Sequence, residues 1–240
     1  MKSFIIFLFA ASFLSLSQLS AEEKEKPKDI KIFAEQNIIW HGQSAFEIHD
    51  DLTIFTDPYK LKKAGKADII LITHPHPDHL SSEDIGKIQS TGTVIVAPDD
   101  PECREKLSGD VKFVKPGDTL TVKGVLIEVV PAYNIGTRLF HLKSSNWAGY
   151  IFEIDGIRIY TAGDTDRIPE MKQINTDIAL LPIGGFFTMD AKEASQAALD
   201  INPSIVIPMH YGARVGSAKD AEKFRQLLEN KLDVLIKTAE

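Results

Sequence analysis

The segment THPHPDHL, at Thr73–Leu80, places three of the chain's seven histidines and one aspartate within six residues. It follows the apolar run ADIILIT, which is typical of a strand buried on both faces. Pro75 and Pro77 restrict the backbone and remove two amide donors, so the segment is predicted to be a rigid loop and not a helix. Any fold of this chain must therefore present this loop at the end of a buried strand.

The residue types in this loop indicate a metal site. In an extended segment His74 and His76 point to the same side, because side chains alternate with a period of two. Two neighbouring imidazoles suit one divalent ion of borderline softness. Asp78 and His79 come next, where the chain can turn them toward a second position nearby. The alternative is a loop that is polar without binding a metal. In such a loop these four side chains would have no packing role, so the metal site is favoured.

Two other apolar runs end in a residue of the same kind. Asp164 follows the run RIYTAG, and His210 follows SIVIPM. Binding groups collect at strand ends because the sheet holds them rigidly while the loops stay open to substrate. We therefore expect His74, Asp164 and His210 to converge on one site.

Apolar runs of strand length recur along the chain with turn signals between them. Residues 30–58 indicate an opening antiparallel meander, and residues 111–132 indicate further strands that turn at Pro116–Gly117. A hairpin is predicted through Asp155–Gly156. Helices are predicted in SSEDIGKIQ, MDAKEASQAALDI and AKDAEKFRQLLENK. This order predicts an α/β fold in which two sheets pack together with helices outside, a four-layer αββα sandwich.

Charge and cysteine content narrow the classes of partner. The net charge is −7, and no Lys/Arg block is longer than Lys62–Lys63, so a nucleic-acid-binding surface is not indicated. The single cysteine, Cys103, cannot form an internal disulfide and has no histidine near it in sequence. It is expected to be neither a ligand nor a nucleophile. A small-molecule substrate is the expected partner, while the sequence is silent on oligomeric state.

These motifs resemble those of the metallo-β-lactamase superfamily. HPHPDH matches its His-x-His-x-Asp-His signature, and TDP at Thr56–Pro58, AGDT at Ala162–Thr165 and PMHYG at Pro208–Gly212 stand in the same order as its other site motifs. The match spans Ile38 to the C-terminus. Within the superfamily, LPIGGFFTMDAKEA and PAYN are most similar to the compact metal-dependent hydrolase branch, which is related to lactonase-like and phosphodiesterase-like members.

The resemblance implies two metal positions joined by a bridging carboxylate. By role, the implied ligands are His74 and His76 for the first ion, Asp78, His79 and His210 for the second, and Asp164 between them. Asp57 is implied to fix a histidine tautomer or the loop of the bridging aspartate. A simple cap of the turn before Pro58 explains Asp57 equally well.

One position departs from the family pattern. The first ion usually has a third histidine near PAYN, where this chain has Asn134, whose amide oxygen is a weaker zinc ligand than imidazole. His141, seven residues later, could reach the same position; otherwise the first site is weaker and only partly filled. The alternative role for His141 is a surface or substrate-contacting histidine.

The implied activity is hydrolysis by a metal-bound hydroxide, since a metal ion lowers the pKa of bound water to about 7. An ester or lactone, an amide and a phosphodiester are all possible targets. Asp78 is expected to orient the nucleophile and transfer its proton, and the metal ions or His141 to stabilise the oxyanion. The ligand set suits one or two Zn²⁺ ions, while Mn²⁺ or Fe are alternatives.

Two other classes of function are weighed against the hydrolase. A non-catalytic metal-dependent binding or sensing domain would not need Asp78 as a spare carboxylate. An iron-based redox protein would need a further carboxylate where Asn134 stands.

The N-terminus indicates an export signal. Lys2 supplies one positive charge, residues 4–17 form an apolar run, and the chain then turns polar. Cleavage after Ala21 divides the chain into a signal peptide at 1–21, a polar lead-in at 22–29 and a metallo-hydrolase domain at 30–240. The apolar run is shorter than the roughly 20 residues that span a bilayer, so an uncleaved membrane anchor is not favoured. We expect a periplasmic or secreted protein.

Overall fold

Two β-sheets packed against each other form the centre of the computed structural model, which describes residues 29–240. The predicted signal peptide at 1–21 lies outside the described residues, as does the polar lead-in at 22–29 except for its last residue. Within residues 29–240, no helix is long and apolar enough to cross a membrane.

The first sheet follows chain order. Its strands are β1 (Ile38–Gly42), β2 (Ala45–His49), β3 (Thr53–Thr56), β4 (Ile69–Leu71), β5 (Val94–Pro98) and β6 (Asp110–Val114). The first three strands form the antiparallel meander that the sequence predicts, and β3 to β6 run parallel. The carboxyl ends of β3 and β4 therefore lie at the same edge.

The second sheet also changes from antiparallel to parallel pairing. Its strands are β7 (Thr119–Val122), β8 (Val125–Pro131), β9 (Ala148–Ile154), β10 (Ile157–Thr161), β11 (Ile178–Pro182), β12 (Ile205–Met209) and β13 (Asp233–Val234). The predicted hairpin joins β9 to β10, and both of its turn residues, Asp155 and Gly156, have positive φ. Strands β10 to β13 are parallel.

Helices cover the outer faces of both sheets. They are α1 (Ile30–Gln36), α2 (Ser82–Ile88), α3 (Pro101–Lys106), α4 (Ala191–Ile201) and α5 (Ala218–Leu227). Side chains of α2 and α3 pack in one cluster with the outer face of the first sheet, and those of α4 and α5 pack with the second sheet. The layers are therefore helix, sheet, sheet and helix, which confirms the αββα sandwich.

Strand β4 shows why buried strands of this fold are apolar throughout. Ile69 and Leu71 pack into the core between the sheets, whereas Ile70 belongs to the cluster under α2 and α3. Successive side chains point to opposite faces, and both faces are covered. A continuous apolar run is the result.

The structure corrects one sequence-based assignment. Residues 30–36, predicted as part of the opening meander, form helix α1. The side chain of Asp29 accepts hydrogen bonds from the amides of Lys31 and Ile32, which caps the helix, and Phe33 and Ala34 are buried. The capping aspartate is the local signal for a helix.

Hydrogen bonds between the sheets fix the start of the histidine loop. The Tyr150 hydroxyl on β9 donates to the carbonyl of Ile72 at 2.7 Å, and the amide of Ala148 donates to the carbonyl of Thr73 at 3.1 Å. Both contacts lie just past β4. The loop that begins there is therefore held by both sheets.

Buried side chains of the second sheet should contribute more to stability than exposed apolar side chains of the same sheet. Phe152 is 1% exposed on β9 and pairs across strands with Ile127 and Ile159, so Phe152→Ala should lower the free energy of unfolding by about 3–5 kcal/mol in urea titrations. Leu126 on β8 is 41% exposed, and Leu126→Ala should cost under about 1 kcal/mol. Equal losses for the two variants would contradict this placement of the core.

Candidate metal centre

Three histidines from two loops form the first ligand group. His74 and His76 lie in the loop after β4, with Nε2 of His74 and Nδ1 of His76 3.0 Å apart. His141, from the loop between β8 and β9, places its ring 5.1 Å from that of His74 and 5.2 Å from that of His76. One nitrogen of each histidine lies within 4.8 Å of the others, so this group could hold a metal ion.

A second group lies beside the first. Asp78, His79 and His210 each place a ligand atom within 4.8 Å of the other two. His210 comes from the end of β12, at the edge where the parallel strands of both sheets finish. This group could hold a second ion.

Asp164 lies between the two groups. Its Oδ1 is 3.3 Å from Nε2 of His79, and its Oδ2 is 3.3 Å from Nε2 of His141 and 3.1 Å from Nε2 of His210. Because one carboxylate faces imidazoles of both groups, it is positioned to bridge two cations.

Several atoms of these side chains are buried without hydrogen bonds. Within residues 29–240, Nε2 of His79, His141 and His210 and Oδ1 of Asp164 have no hydrogen-bond partner. Buried polar atoms are nearly always satisfied, so a cluster of exceptions requires an explanation. Imidazole nitrogens and carboxylate oxygens around a common point are the donor set of a borderline-soft divalent cation. The residues present therefore fit one or two such ions.

Burial favours the neutral form of two imidazoles in the first group. Burial, with the nearby rings of His79 and His141, holds the pKa of His74 well below its ordinary value. Burial also lowers the pKa of His76. Metal binding requires the neutral form of histidine, so these ligands need no deprotonation near neutral pH.

The charge balance around Asp164 is different. Burial acts to raise the pKa of Asp164, but His210 and His79 outweigh it and hold that pKa well below the ordinary value. Burial acts to lower the pKa of His79, but the carboxylates of Asp164 and Asp57 hold it well above the ordinary value. The buried carboxylate thus requires a positive partner, which is either a proton on histidine or a metal cation.

Asp57 lies behind His79, away from the cavity. Its Oδ2 is 2.8 Å from Nδ1 of His79, and it accepts hydrogen bonds from the amide and the hydroxyl of Thr73 at 2.8 and 2.7 Å. A carboxylate in this position holds the proton on Nδ1 and leaves Nε2 free for the centre. It also ties β3 to the histidine loop.

Asn134 contacts Nδ1 of His141 in the way that Asp57 contacts Nδ1 of His79. Its Oδ1 accepts from the amide of His141 and is 3.0 Å from Nδ1 of that ring, while its Nδ2 donates to Asp166 and to the carbonyl of Phe187. Both amide atoms are engaged, so the structure places His141 and not Asn134 in the first ligand group. Nε2 of His141 is left facing Asp164.

Gln43 is a site residue that the sequence did not reveal. It is buried in the turn between β1 and β2, its Nε2 donates to Oδ2 of Asp78 at 2.9 Å, and its carbonyl accepts from the amide of His210 at 2.8 Å. No motif marks it, because its role depends on contacts with residues that are far away in the sequence. Asp166, which accepts hydrogen bonds from Asn134 and Arg138, was missed because those partners are also distant in sequence.

Three other residues of potential ligand type lie apart from the centre. His41 and His49 both pair with Glu47, at 2.8 and 3.0 Å. Cys103 is the buried residue of α3, and burial raises its pKa to about 12, which fits the expectation that it is neither a ligand nor a nucleophile.

A close backbone approach explains one glycine. His210 adopts φ of 58°, and a Cβ added to Gly184 would lie 2.3 Å from the His210 carbonyl oxygen and 3.1 Å from its Nδ1. The backbone of β12 can pass this close to the end of β11 only because position 184 lacks a side chain.

A cavity of about 200 Å³ opens onto the ligand groups. Its lining combines side chains that could bind a metal ion with aromatic and cationic ones: His76, Pro77, Asp78, Phe140, His141, Asp164, Phe187, His210 and Arg214. The centre is therefore open to a small molecule on one side.

Comparison with known proteins agrees with this geometry. Residues 37–210 match the family described as "Beta-lactamase superfamily domain". The chain is 36% identical over 216 residues to the UPF0173 metal-dependent hydrolase of Thermococcus onnurineus, covering 81% of this chain and 93% of that protein. A crystal structure from Parabacteroides distasonis has a TM-score of 0.74 at 34% identity, covering 85% of this chain and 93% of the other. Igni18, a novel metallo hydrolase from Ignicoccus hospitalis, has a TM-score of 0.70 at 26% identity, covering 84% and 94%.

Gly184→Ala should displace His210 from the centre. The added methyl group forces the His210 backbone to move, so the free energy of unfolding should fall by about 1–3 kcal/mol and bound metal should decrease, as measured by urea titration and elemental analysis. Gly86 in α2 has open space where a Cβ would lie, and Gly86→Ala should instead stabilise by up to about 1 kcal/mol with metal content unchanged. Full metal content in Gly184→Ala would show that His210 tolerates the shift.

Proposed function

Because the chain belongs to the β-lactamase superfamily domain family and is a metal-dependent hydrolase, we propose that it uses two zinc ions to hydrolyse a carboxylic ester or lactone. The observation that carries the proposal is the set of buried, unpartnered nitrogen and oxygen atoms around Asp164. Such a set of nitrogen and oxygen atoms suits two zinc ions, and it borders an open cavity.

The ligand assignment follows the two groups and the carboxylate between them. The first ion would be held by His74, His76 and His141, the second by Asp78, His79 and His210, with Asp164 shared. Five imidazoles favour zinc over magnesium or calcium, which prefer oxygen ligands. Manganese and iron accept the same donors and are the alternatives to be tested.

Bound zinc would supply Lewis acidity and a water molecule whose pKa is lowered to about 7. The chain's own contribution begins with Asp78, which borders the cavity and is oriented by the hydrogen bond from Gln43. A carboxylate in this position can take a proton from the attacking water and return it to the leaving group. Asp57 and Asn134 hold the histidine rings still while this happens.

The lining of the cavity favours an ester or lactone over a phosphodiester. Phe140, Phe187 and Pro77 supply apolar surface, and Arg214 is the one cationic side chain among the lining residues. A phosphodiester would be bound better by several cationic donors around its oxygens. A carboxylic ester or lactone suits the mixed lining better, and an amide is the nearest competitor.

The other classes of function fit the site less well. A purely structural metal site is closed, whereas this one opens onto a cavity that Asp78 lines. Iron-based redox chemistry would call for another carboxylate in the first group, where Asn134 instead supports His141.

Export of the protein is a further part of the proposal. It is supported by the charged start, the apolar run at residues 4–17 and the polar segment after it. Cell fractionation with N-terminal sequencing of the mature chain tests it, and a chain found in the cytoplasm with residue 1 intact would refute it.

The hydrolase assignment can be tested on a panel of substrates. Removal of metal by a chelator should abolish turnover of esters and lactones, and Zn²⁺ should restore more of it than Mn²⁺ or Fe²⁺. An aryl phosphodiester should react about tenfold slower or worse, because the lining supplies one guanidinium and not the several cationic donors that would bind the oxygens of the reacting phosphate. Preferential turnover of the phosphodiester would overturn the choice of bond.

His141→Ala separates the two roles considered for that residue. If His141 is a ligand, bound zinc should fall from two ions toward one per chain, and kcat/KM should fall about a hundredfold or more. His49→Ala removes a histidine that lies outside the centre, and its metal content should match the unaltered protein. Unchanged zinc in His141→Ala together with lost turnover would make His141 a substrate contact instead.

A further inference from the structure

We propose that the substrate carries an apolar group, which packs on an aromatic rim beside the metal centre, and an anionic group, which binds Arg214. The rim consists of Phe140, Phe186 and Phe187. This inference rests on the proposed function and names the chemical class of its substrate.

The rim is a single cluster of three rings from two loops. Ring centroids are 5.4 Å apart for Phe140 and Phe186, and 4.8 Å apart for Phe187 with each of the other two. Phe186 is 66% exposed and Phe140 is 43% exposed, and the adjacent Leu139 is 70% exposed. Contiguous exposed apolar surface of this kind marks a binding surface more often than it serves stability.

The rim continues the cavity of the centre. Phe140 and Phe187 line the same cavity as Asp78 and Asp164, and Phe186 packs on both rings at its mouth. The cavity holds about 200 Å³, which is smaller than a typical small-molecule site of roughly 300–1,000 Å³. A substrate larger than this cavity, with its reacting bond among the ligands, would extend across the rim.

The rim is held in a fixed position relative to the ligands. Nδ2 of Asn134 donates to the carbonyl of Phe187 at 3.0 Å, while its Oδ1 supports His141. Arg138 ties the loop of Phe140 to Asp166 and to Glu193 at the start of α4, both at 2.8 Å. One network thus positions both a ligand and the rim, which lowers the ordering cost of binding.

Arg214 differs from the other arginines of the chain. All six arginines lie in the described residues, and five of them form an ion pair with a carboxylate: Arg104, Arg138, Arg158, Arg167 and Arg225. Within residues 29–240, Arg214 has no such partner, and it is exposed at the cavity. A free guanidinium in this position suits a carboxylate, phosphate or sulfonate group of the substrate.

Binding of alkyl sulfonates to the zinc-loaded protein tests both the apolar contact with the rim and the anionic contact with Arg214. These probes carry an anion that binds zinc weakly, and the series from ethanesulfonate to octanesulfonate varies only the apolar chain. Affinity is measured by calorimetry and by the fluorescence of Trp147, whose ring is 5.0 Å from those of His74 and His76. Each added methylene should tighten binding about twofold to fourfold until the chain passes the rim.

Two variants test whether Phe186 causes the dependence of affinity on chain length and whether Arg214 binds the sulfonate group. Phe186→Ser should flatten the dependence on chain length, and Arg214→Gln should weaken every sulfonate about tenfold while leaving the binding of alcohols of equal length unchanged. The control for Phe186→Ser is Ile32→Ser, which removes an apolar side chain that is 51% exposed on α1. The control for Arg214→Gln is Lys219→Gln on α5. Neither control should change affinity.

The outcomes separate this inference from the proposed function. Affinity independent of chain length, an equal slope in Phe186→Ser, or an equal loss in Lys219→Gln would overturn the inference. A dimer that Phe186→Ser dissociates in sedimentation would also overturn it, because the rim would then contact a second copy. Chain-length-dependent binding without hydrolysis of any ester or lactone would instead support the rim and overturn the proposed bond.

Discussion

The carboxylate of Asp164 is the group around which the site is built, because a buried negative charge needs a positive partner. It lies 3.1–3.3 Å from imidazole nitrogens of His79, His141 and His210, and its own Oδ1 has no hydrogen bond within residues 29–240. An isolated buried carboxylate is strongly unfavourable in a low-dielectric interior. The surrounding rings offer lone pairs as readily as protons, so a divalent cation satisfies them and the carboxylate together. This requirement explains why Nε2 of His79, His141 and His210 lie together with Oδ1 of Asp164 in the interior without hydrogen bonds within residues 29–240.

The sandwich meets that requirement by bringing parallel strands of both sheets to one edge. Behind the ligands lies a layer of residues that fix their orientation: Asp57 holds His79, Asn134 holds His141, and Gln43 contacts both Asp78 and the backbone of His210. Part of this geometry is strained, since Asp57 and His210 adopt φ of 41° and 58°. Such conformations cost about 1–3 kcal/mol each and persist only where surrounding contacts hold them, as the Gln43 carbonyl holds the amide of His210.

Residue patterns predicted structural elements correctly where the necessary information lay within one segment. The histidine loop, the Asp155–Gly156 hairpin and helices α2, α4 and α5 could be predicted from residue order alone. Helix α1 was misassigned because its apolar residues resemble the strands that follow, while its cap depends on one aspartate. Asn134 and His141 could not be ranked from the sequence, because both are polar and lie in one irregular loop. Their roles separate only when both polar atoms of the amide are seen to bond to neighbours.

Residue patterns alone specify the chemical types at the site and the fold class, since ligand residues follow apolar strands whose period and turn signals are local properties. Which atoms face one another depends on the packed structure: His141 joins His74 and His76, and Gln43 reaches Asp78. Within residues 29–240, Arg214 lies beside an aromatic rim without a carboxylate partner. These are contacts between segments far apart in the chain. Their distances depend on how the two sheets pack, and no pattern within one segment encodes that packing.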